Sequence, residues 1–230
     1  MLINKKFILA SSSKSRYKIL KLNKLNFIQV TPTCKENTIK ERLKKKKYSP
    51  EKIVKILASE KAKSISILHP KKTVVGCDTI IIFNNQIIDK ATNTKEAKKK
   101  LSKLSGKKHK IMSSVSVYEN EQEVWRFSQQ TTVKIRKISN DYINTYLKKC
   151  GKQILGSAGC YQIESLGPMV IESIKGDFFN VMGFPLFPFL KYLENKKWKN
   201  FLLLEKKHQK AFLQQFLITG LKNIILKQNT

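Results

Sequence analysis

Short apolar runs of strand length alternate along this chain with segments whose apolar residues recur at helical spacing, and hairpins are set among them. A chain patterned this way folds as α/β or α+β with a mixed sheet, because each strand and each helix has an apolar face to bury against the other kind of element. Lys6 to Ala10 reads as a buried strand. The serines after it can cap a helix over Ser15 to Leu25, with Ile19, Leu20 and Leu22 at helical spacing. Phe27 to Val30 is a second strand, ended by Thr31-Pro32-Thr33. Ser49-Pro50-Glu51 starts a helix that runs to about Ser66: Ser49 as N-cap, Pro50 at the first helical position, Glu51 against the dipole.

A strand over Thr73 to Gly76 precedes a hairpin, Ile80 to Phe83 and Gln86 to Ile88, whose Asn84-Asn85 turn tolerates positive φ. Thr94 opens the next helix, closed at Ser105-Gly106. Residues 109–118 and 123–136 alternate like paired strands joined at Glu119-Asn120. Ser139 caps a helix to about Lys149. A Gly-rich loop, Gly156 to Gly159, leads to a strand at Met169 to Ile174, and Pro185 to Leu193 is a last core helix. Residues 1–195 read as the folded unit. Residues 196–230 read as a basic, Leu-rich, helix-prone extension.

The charge narrows the function. Lysine and arginine number 46 against 16 acids, a net charge of +30. The only arginines are Arg16, Arg42, Arg126 and Arg136, whereas nucleic-acid readers lean on arginine for bidentate and stacking contacts. The lysines run through every segment. A compositional bias that favours anionic substrates fits better than a nucleic-acid footprint, so no stable nucleic-acid partner is expected. The apolar run Phe7 to Ala10 is too short for a signal segment or a spanning helix, which needs about 20 apolar residues. Cys34, Cys77, Cys150 and Cys160 form no C-x-x-C pair and fit reduced thiols in a cytoplasm.

Two constellations carry chemistry. The turn from Ala10 to Arg16 gathers hydroxyls, backbone N–H groups, Lys14 and Arg16 at a helix N-terminus, which is a physical anion site. Gly76-Cys77-Asp78-Thr79 places an acid at the end of an apolar strand. It reads either as a turn residue or as a cleft-facing metal ligand or general base, and local sequence leaves both open. Asp89-Lys90, at the end of the hairpin's return strand, could lie beside it. Glu36 and Glu60-Lys61 could add a second acid and another phosphate-binding lysine. His69 and His109 read as surface or turn residues, and the phenylalanines from Phe178 to Phe189 as core and cleft wall.

Taken in order, Leu9 to Ser13 with Arg16, Glu60-Lys61-Ala62, Val75 to Thr79, LSKLSG at 101–106 with His109, Ala158 to Tyr161, Leu166-Gly167 and IKGDFFNVMGFPL at 174–186 resemble the Maf family, over about Phe7 to Leu193. The resemblance implies a two-lobed α/β fold, a mixed twisted sheet with flanking helices enclosing a deep nucleotide cleft, often as a homodimer. It implies hydrolysis of nucleoside triphosphates to monophosphate and pyrophosphate with a divalent cation, Mg or Mn, clearing non-canonical or surplus nucleotides. Asp78 matches the catalytic aspartate. Ser11, Arg16, Lys61 and Lys90 match substrate-binding positions, and Glu36 with Asp78 the metal site. Ser15, Thr79 and Glu164 fall at positions linked to base preference, with conflicting signs. Thr79 agrees with the pyrimidine-preferring subgroup, whereas Ser15 lacks that subgroup's arginine and Glu164 resembles the subgroup acting on 7-methyl-GTP. Ala91 replaces a usual proline. The rival from another class is a non-catalytic polyanion-binding or division-linked protein.

Overall fold

The structure is a computed structural model and describes residues 6–196; the rest of the C-terminal extension lies outside the described residues. Its strands pair into one seven-stranded mixed sheet. β1 (Phe7–Ala10) lies parallel to β2 (Phe27–Val30) on one side and to β3 (Val74–Phe83) on the other. β4 (Gln86–Ile88) folds back on β3 as a hairpin, with Asn84 and Asn85 at φ of 50° and 59°. β5 (Lys108–Glu119), β6 (Gln122–Ile135) and β7 (Ile171–Lys175) continue the sheet antiparallel from β3. The β5–β6 turn falls on Asn120-Glu121, one residue later than the alternation suggests.

Helices cover both faces. α1 (Lys14–Leu22) follows β1 and is capped by Ser13, whose hydroxyl accepts from the Arg16 N–H. α2 (Glu36–Lys45) and α3 (Pro50–Ser66) come between β2 and β3. α4 (Thr94–Leu104), α5 (Asn140–Cys150), a short α6 (Phe178–Val181) and α7 (Leu186–Asn195) complete the set. Side chains alternate across the sheet. Val75, Cys77, Ile81 and Phe83 of β3 point into the main core with residues of α1, α4, α5 and α7. Val74 meets Ala62 and Ile65 of α3 on the opposite face, and Ile80 and Ile82 meet Val54. α2 rests outside α3, where Leu43 packs against Ile53 and Leu57.

Two expectations change, and one helix is added. β3 is one ten-residue strand, so Asp78 sits mid-strand and not at a strand end. β5 pairs with it without interruption from Val74 to Ile82, which satisfies the backbone around Gly76 and Asp78. α2 was not legible as a helix: only Leu43 is buried, and its N-cap, Lys35, makes no side-chain cap bond. His109, expected at the surface, is buried on β5 with Nε2 2.5 Å from the Tyr161 hydroxyl.

Burial pushes the His109 imidazole down from 6.5 to about 4. The unfolded chain then binds the proton more tightly than the folded one, so this contribution is whole above pH 6.5 and is lost as pH falls towards 4. At ~1.4 kcal/mol per unit the limit is about 3 kcal/mol. Urea titrations of wild type and His109→Gln between pH 7.5 and 4 measure it. The advantage of wild type is expected to shrink as the pH falls, and a pH-independent difference would refute this account.

No described helix is long and apolar enough to cross a membrane. All four cysteines are free thiols, with Cys77, Cys150 and Cys160 buried.

Candidate active site

One edge of β3 is shared end to end by two strands. β1 accompanies it only as far as the Ala10–Gly76 pair, and β4 joins it only from the Ile81–Ile88 pair. Between them, among the described residues, the backbone from Cys77 to Ile80 has no strand on that side, while β5 covers the other edge throughout. The result is a notch in the sheet. Asp78 and Thr79 lie in it and, being consecutive, face opposite sides.

Asp78 faces α3. Its Oδ1 accepts from Lys61 Nζ at 2.5 Å, and the same ammonium lies 2.7 Å from Glu36 Oε2 at the start of α2. Asp78 and Lys61 are 4% and 6% exposed, whereas Glu36 reaches solvent. Gly76 makes the approach possible: a Cβ there would lie 2.3 Å from the Ala58 carbonyl oxygen and 2.5 Å from the Ala62 nitrogen. α3 can therefore press its backbone onto β3 one turn from Lys61. Burial opposes charge on Lys61, but Asp78 and Glu36 outweigh it and hold the ammonium above its ordinary range. Burial would likewise raise Glu36, and Lys61, Lys90 and Arg16 together hold it below the usual carboxylate range.

Thr79 faces the main core and meets Arg16. The buried guanidinium donates from Nε to the Gly183 carbonyl at 2.9 Å, from Nη1 to Ser11 Oγ at 3.1 Å and from Nη2 to Thr79 Oγ1 at 3.0 Å. Thr79 also bonds Ser113 Oγ at 2.9 Å and the Gly183 carbonyl at 3.1 Å, and the Cys77 thiol points at that same carbonyl. Gly183 sits at φ 100°, and a Cβ on it would lie 3.2 Å from Thr79 Oγ1. Ser113 and Gly183 were not singled out from the sequence. Ser113 could have been found by pairing Thr79 across the ladder, while a glycine carbonyl carries no side-chain signal.

The positions linked to base preference divide. Ser15 Oγ donates to Glu164 Oε1 at 2.6 Å, across 149 residues. Thr79 belongs to the Arg16 cluster, one residue along α1 from Ser15. Glu36 and not Glu60 supplies the second acid on Lys61. Lys90 is exposed and reaches the site through its field on Glu36. The Asp89 carboxylate turns away from Asp78 to Lys40 and Lys44 of α2. Among the described residues no group of three His, Cys, Asp or Glu converges as a metal cage. The acids that do converge are Asp78 and Glu36, both on Lys61.

The family model described as Maf-like protein matches residues 6–196. A 7-methyl-GTP pyrophosphatase of Bartonella henselae is 38% identical to this chain, over 80% of it and 91% of the relative. A nucleoside triphosphate pyrophosphatase of Ruegeria pomeroyi is 33% identical over 81% of this chain and 94% of its own length. One of Caulobacter vibrioides is 34% identical over 80% and 92%.

Proposed function

Since the chain belongs to the Maf-like family, we propose that it hydrolyses nucleoside triphosphates to the monophosphate and pyrophosphate, with Asp78 at the reacting centre. One observation carries the assignment of the centre: a buried lysine clasped by two carboxylates at a notch in the sheet, beside a buried arginine. A protein that only bound polyanions would gain nothing from placing two acids on a buried lysine.

Phosphoryl chemistry of this kind needs positioning and charge neutralisation more than covalent help. Arg16 is held on three sides, by Ser11, Thr79 and the Gly183 carbonyl, so its orientation is set before substrate arrives. With Lys61 and Lys90 it neutralises the triphosphate and holds the departing pyrophosphate, while the Ser11 hydroxyl donates to phosphate oxygen. Asp78 and Glu36 would hold a hard divalent cation such as Mg or Mn, for which carboxylate oxygens are suited donors. When bound, that cation supplies Lewis-acid neutralisation at the phosphate oxygens. The Asp78 carboxylate also orients the attacking water and accepts its proton as the new O–P bond forms and the α–β bridging bond breaks.

Glu164 sets the base. Its carboxylate accepts the Ser15 hydroxyl and keeps acceptor sites for the N1–H and N2–H of a guanine edge. A 7-methylguanine carries a positive charge that a carboxylate complements and a carboxamide does not. Pyrophosphate release from UTP, dTTP, CTP and 7-methyl-GTP, each with Mg or Mn, tests both levels. Release from none of them refutes the hydrolase reading. Glu164→Gln is expected to lower kcat/KM for 7-methyl-GTP roughly tenfold relative to UTP, on the scale of one lost charged contact. An unchanged ratio would remove Glu164 from base selection.

A further inference from the structure

α2 carries Glu36 at its first position yet is lightly anchored, with one buried residue and no side-chain cap bond at its N-cap. Lys40 and Lys44 follow Glu36 at four-residue steps, which places all three on one side of the helix. Glu36 reaches inward to Lys61. The two lysines reach the Asp89 carboxylate, Lys40 in a close ion pair and Lys44 at 3.0 Å. The main-chain oxygen of Asp89 in turn accepts from Lys100 of α4. Asp89 thus joins α2 to α4 at the end of β4, and the residue after it is Lys90.

We propose that Asp89 is a positioning residue for the hydrolysis: it ties α2 to the loop after β4, so that Glu36 and Lys90 face the same triphosphate. The only β4 residue in the apolar cluster under α2 is Ile87, which is partly buried. Burial would raise the Asp89 carboxyl, and Lys40 with Lys44 overcomes this to hold it below its ordinary range, as an engaged carboxylate requires. Solvent-exposed ion pairs contribute little to global stability, so the tie acts on the placement of two side chains and not on whether the domain folds.

This inference rests on the proposed hydrolase reading, and the test separates the two. Asp89→Asn keeps the side-chain shape and removes the charge. Amide hydrogen exchange over residues 36–45 is expected to quicken about tenfold relative to α3, because a lightly held helix opens locally. The urea midpoint should stay within error of wild type. Pyrophosphate release should fall roughly tenfold in kcat/KM, the scale of a small misplacement near the reacting atoms. Asp89→Glu should recover part of that loss, and the double variant Lys40→Met/Lys44→Met should reproduce it. In a Glu36→Gln background Asp89→Asn should cost clearly less than the tenfold seen in wild type, since one of the two groups it positions is already gone. An active wild type with unchanged exchange and activity in Asp89→Asn would overturn the inference. So would a loss undiminished in the Glu36→Gln background. A wild type that releases no pyrophosphate from any nucleotide overturns the hydrolase reading instead, and exchange over 36–45 still reports the tie.

Discussion

Asp78→Asn is expected to reduce pyrophosphate release about a thousandfold with every nucleotide the protein accepts, while leaving a folded protein. The substitution is close to isosteric, and the amide oxygen can still accept from Lys61 Nζ, now 2.5 Å away. What disappears is the charge. Under the proposed mechanism that charge both helps hold a divalent cation and takes the proton of the attacking water, so its loss falls on the transition state. A thousandfold is about 4 kcal/mol of barrier. The kinetic form of the loss is as informative as its size. With Mg or Mn saturating, so that Glu36 still holds the cation, the loss of the proton acceptor should appear mainly in kcat; at limiting metal the apparent affinity for the cation should fall as well. Stability should also drop by about 1–3 kcal/mol, because Lys61 stays buried with only the solvent-reaching Glu36 as its ionic partner. Steady-state kinetics and a urea titration on the same preparation measure both. An Asn variant that keeps more than a tenth of the wild-type kcat would take Asp78 out of the chemistry.

The parts of this fold legible in the sequence are those fixed by neighbours in the chain. Ser13, Ser49 and Ser139 cap helices through contacts three residues on, and Asn84-Asn85 turns a hairpin whose strands abut it. The interleaved periodicity was enough to indicate a mixed sheet with helices around it. What escaped is non-local. Asp78 looked like a strand end because an acid breaks an apolar run. It lies mid-strand because β5 pairs past it and Lys61, on a different element, meets its charge. The notch exists because β1 stops where β4 has not yet begun on the same edge of β3, a matter of register that no single segment records. α2 escaped because it buries only Leu43, while Glu36, Lys40 and Lys44 engage charged partners far along the chain. His109 escaped because its alternation with Ile111 was outweighed by the usual exposure of histidine. In the candidate site, Asp78, Lys61, Glu36, Arg16 and Ser11 were all named from the sequence and are brought together in two contacting groups. The Ser15–Glu164 bond and the carbonyl of Gly183 needed coordinates, because each joins residues more than a hundred positions apart.

Gly76→Ala should be strongly destabilising. The glycine has no unusual φ to explain it, so space alone is at issue. The added carbon would stand 2.3 Å from the Ala58 carbonyl oxygen, 2.5 Å from the Ala62 nitrogen and 2.8 Å from the Ala62 Cβ. None of these is the end of a flexible side chain, so relief requires α3 to lift from β3 or β3 to bow away from β5. Overpacking of this kind costs ~1–3 kcal/mol where side chains can yield, and a backbone clash should reach or pass the upper end. Gly156→Ala is the control: nothing lies within 4 Å of its Cβ, so the urea midpoint should barely move. Activity adds a second reading. Lys61 rides on α3 one residue before Ala62, so lifting the helix opens the Lys61–Asp78 contact and draws Lys61 off Glu36. The protein that remains folded at low temperature should therefore turn over nucleotide at least tenfold more slowly than wild type, the scale of a displacement of about an ångström beside the reacting atoms. A variant with wild-type turnover and a midpoint within ~1 kcal/mol of wild type would mean that α3 can move without disturbing the lysine. Gly76 would then be a packing detail, and the close seating of α3 would no longer account for how Asp78 acquires its partner.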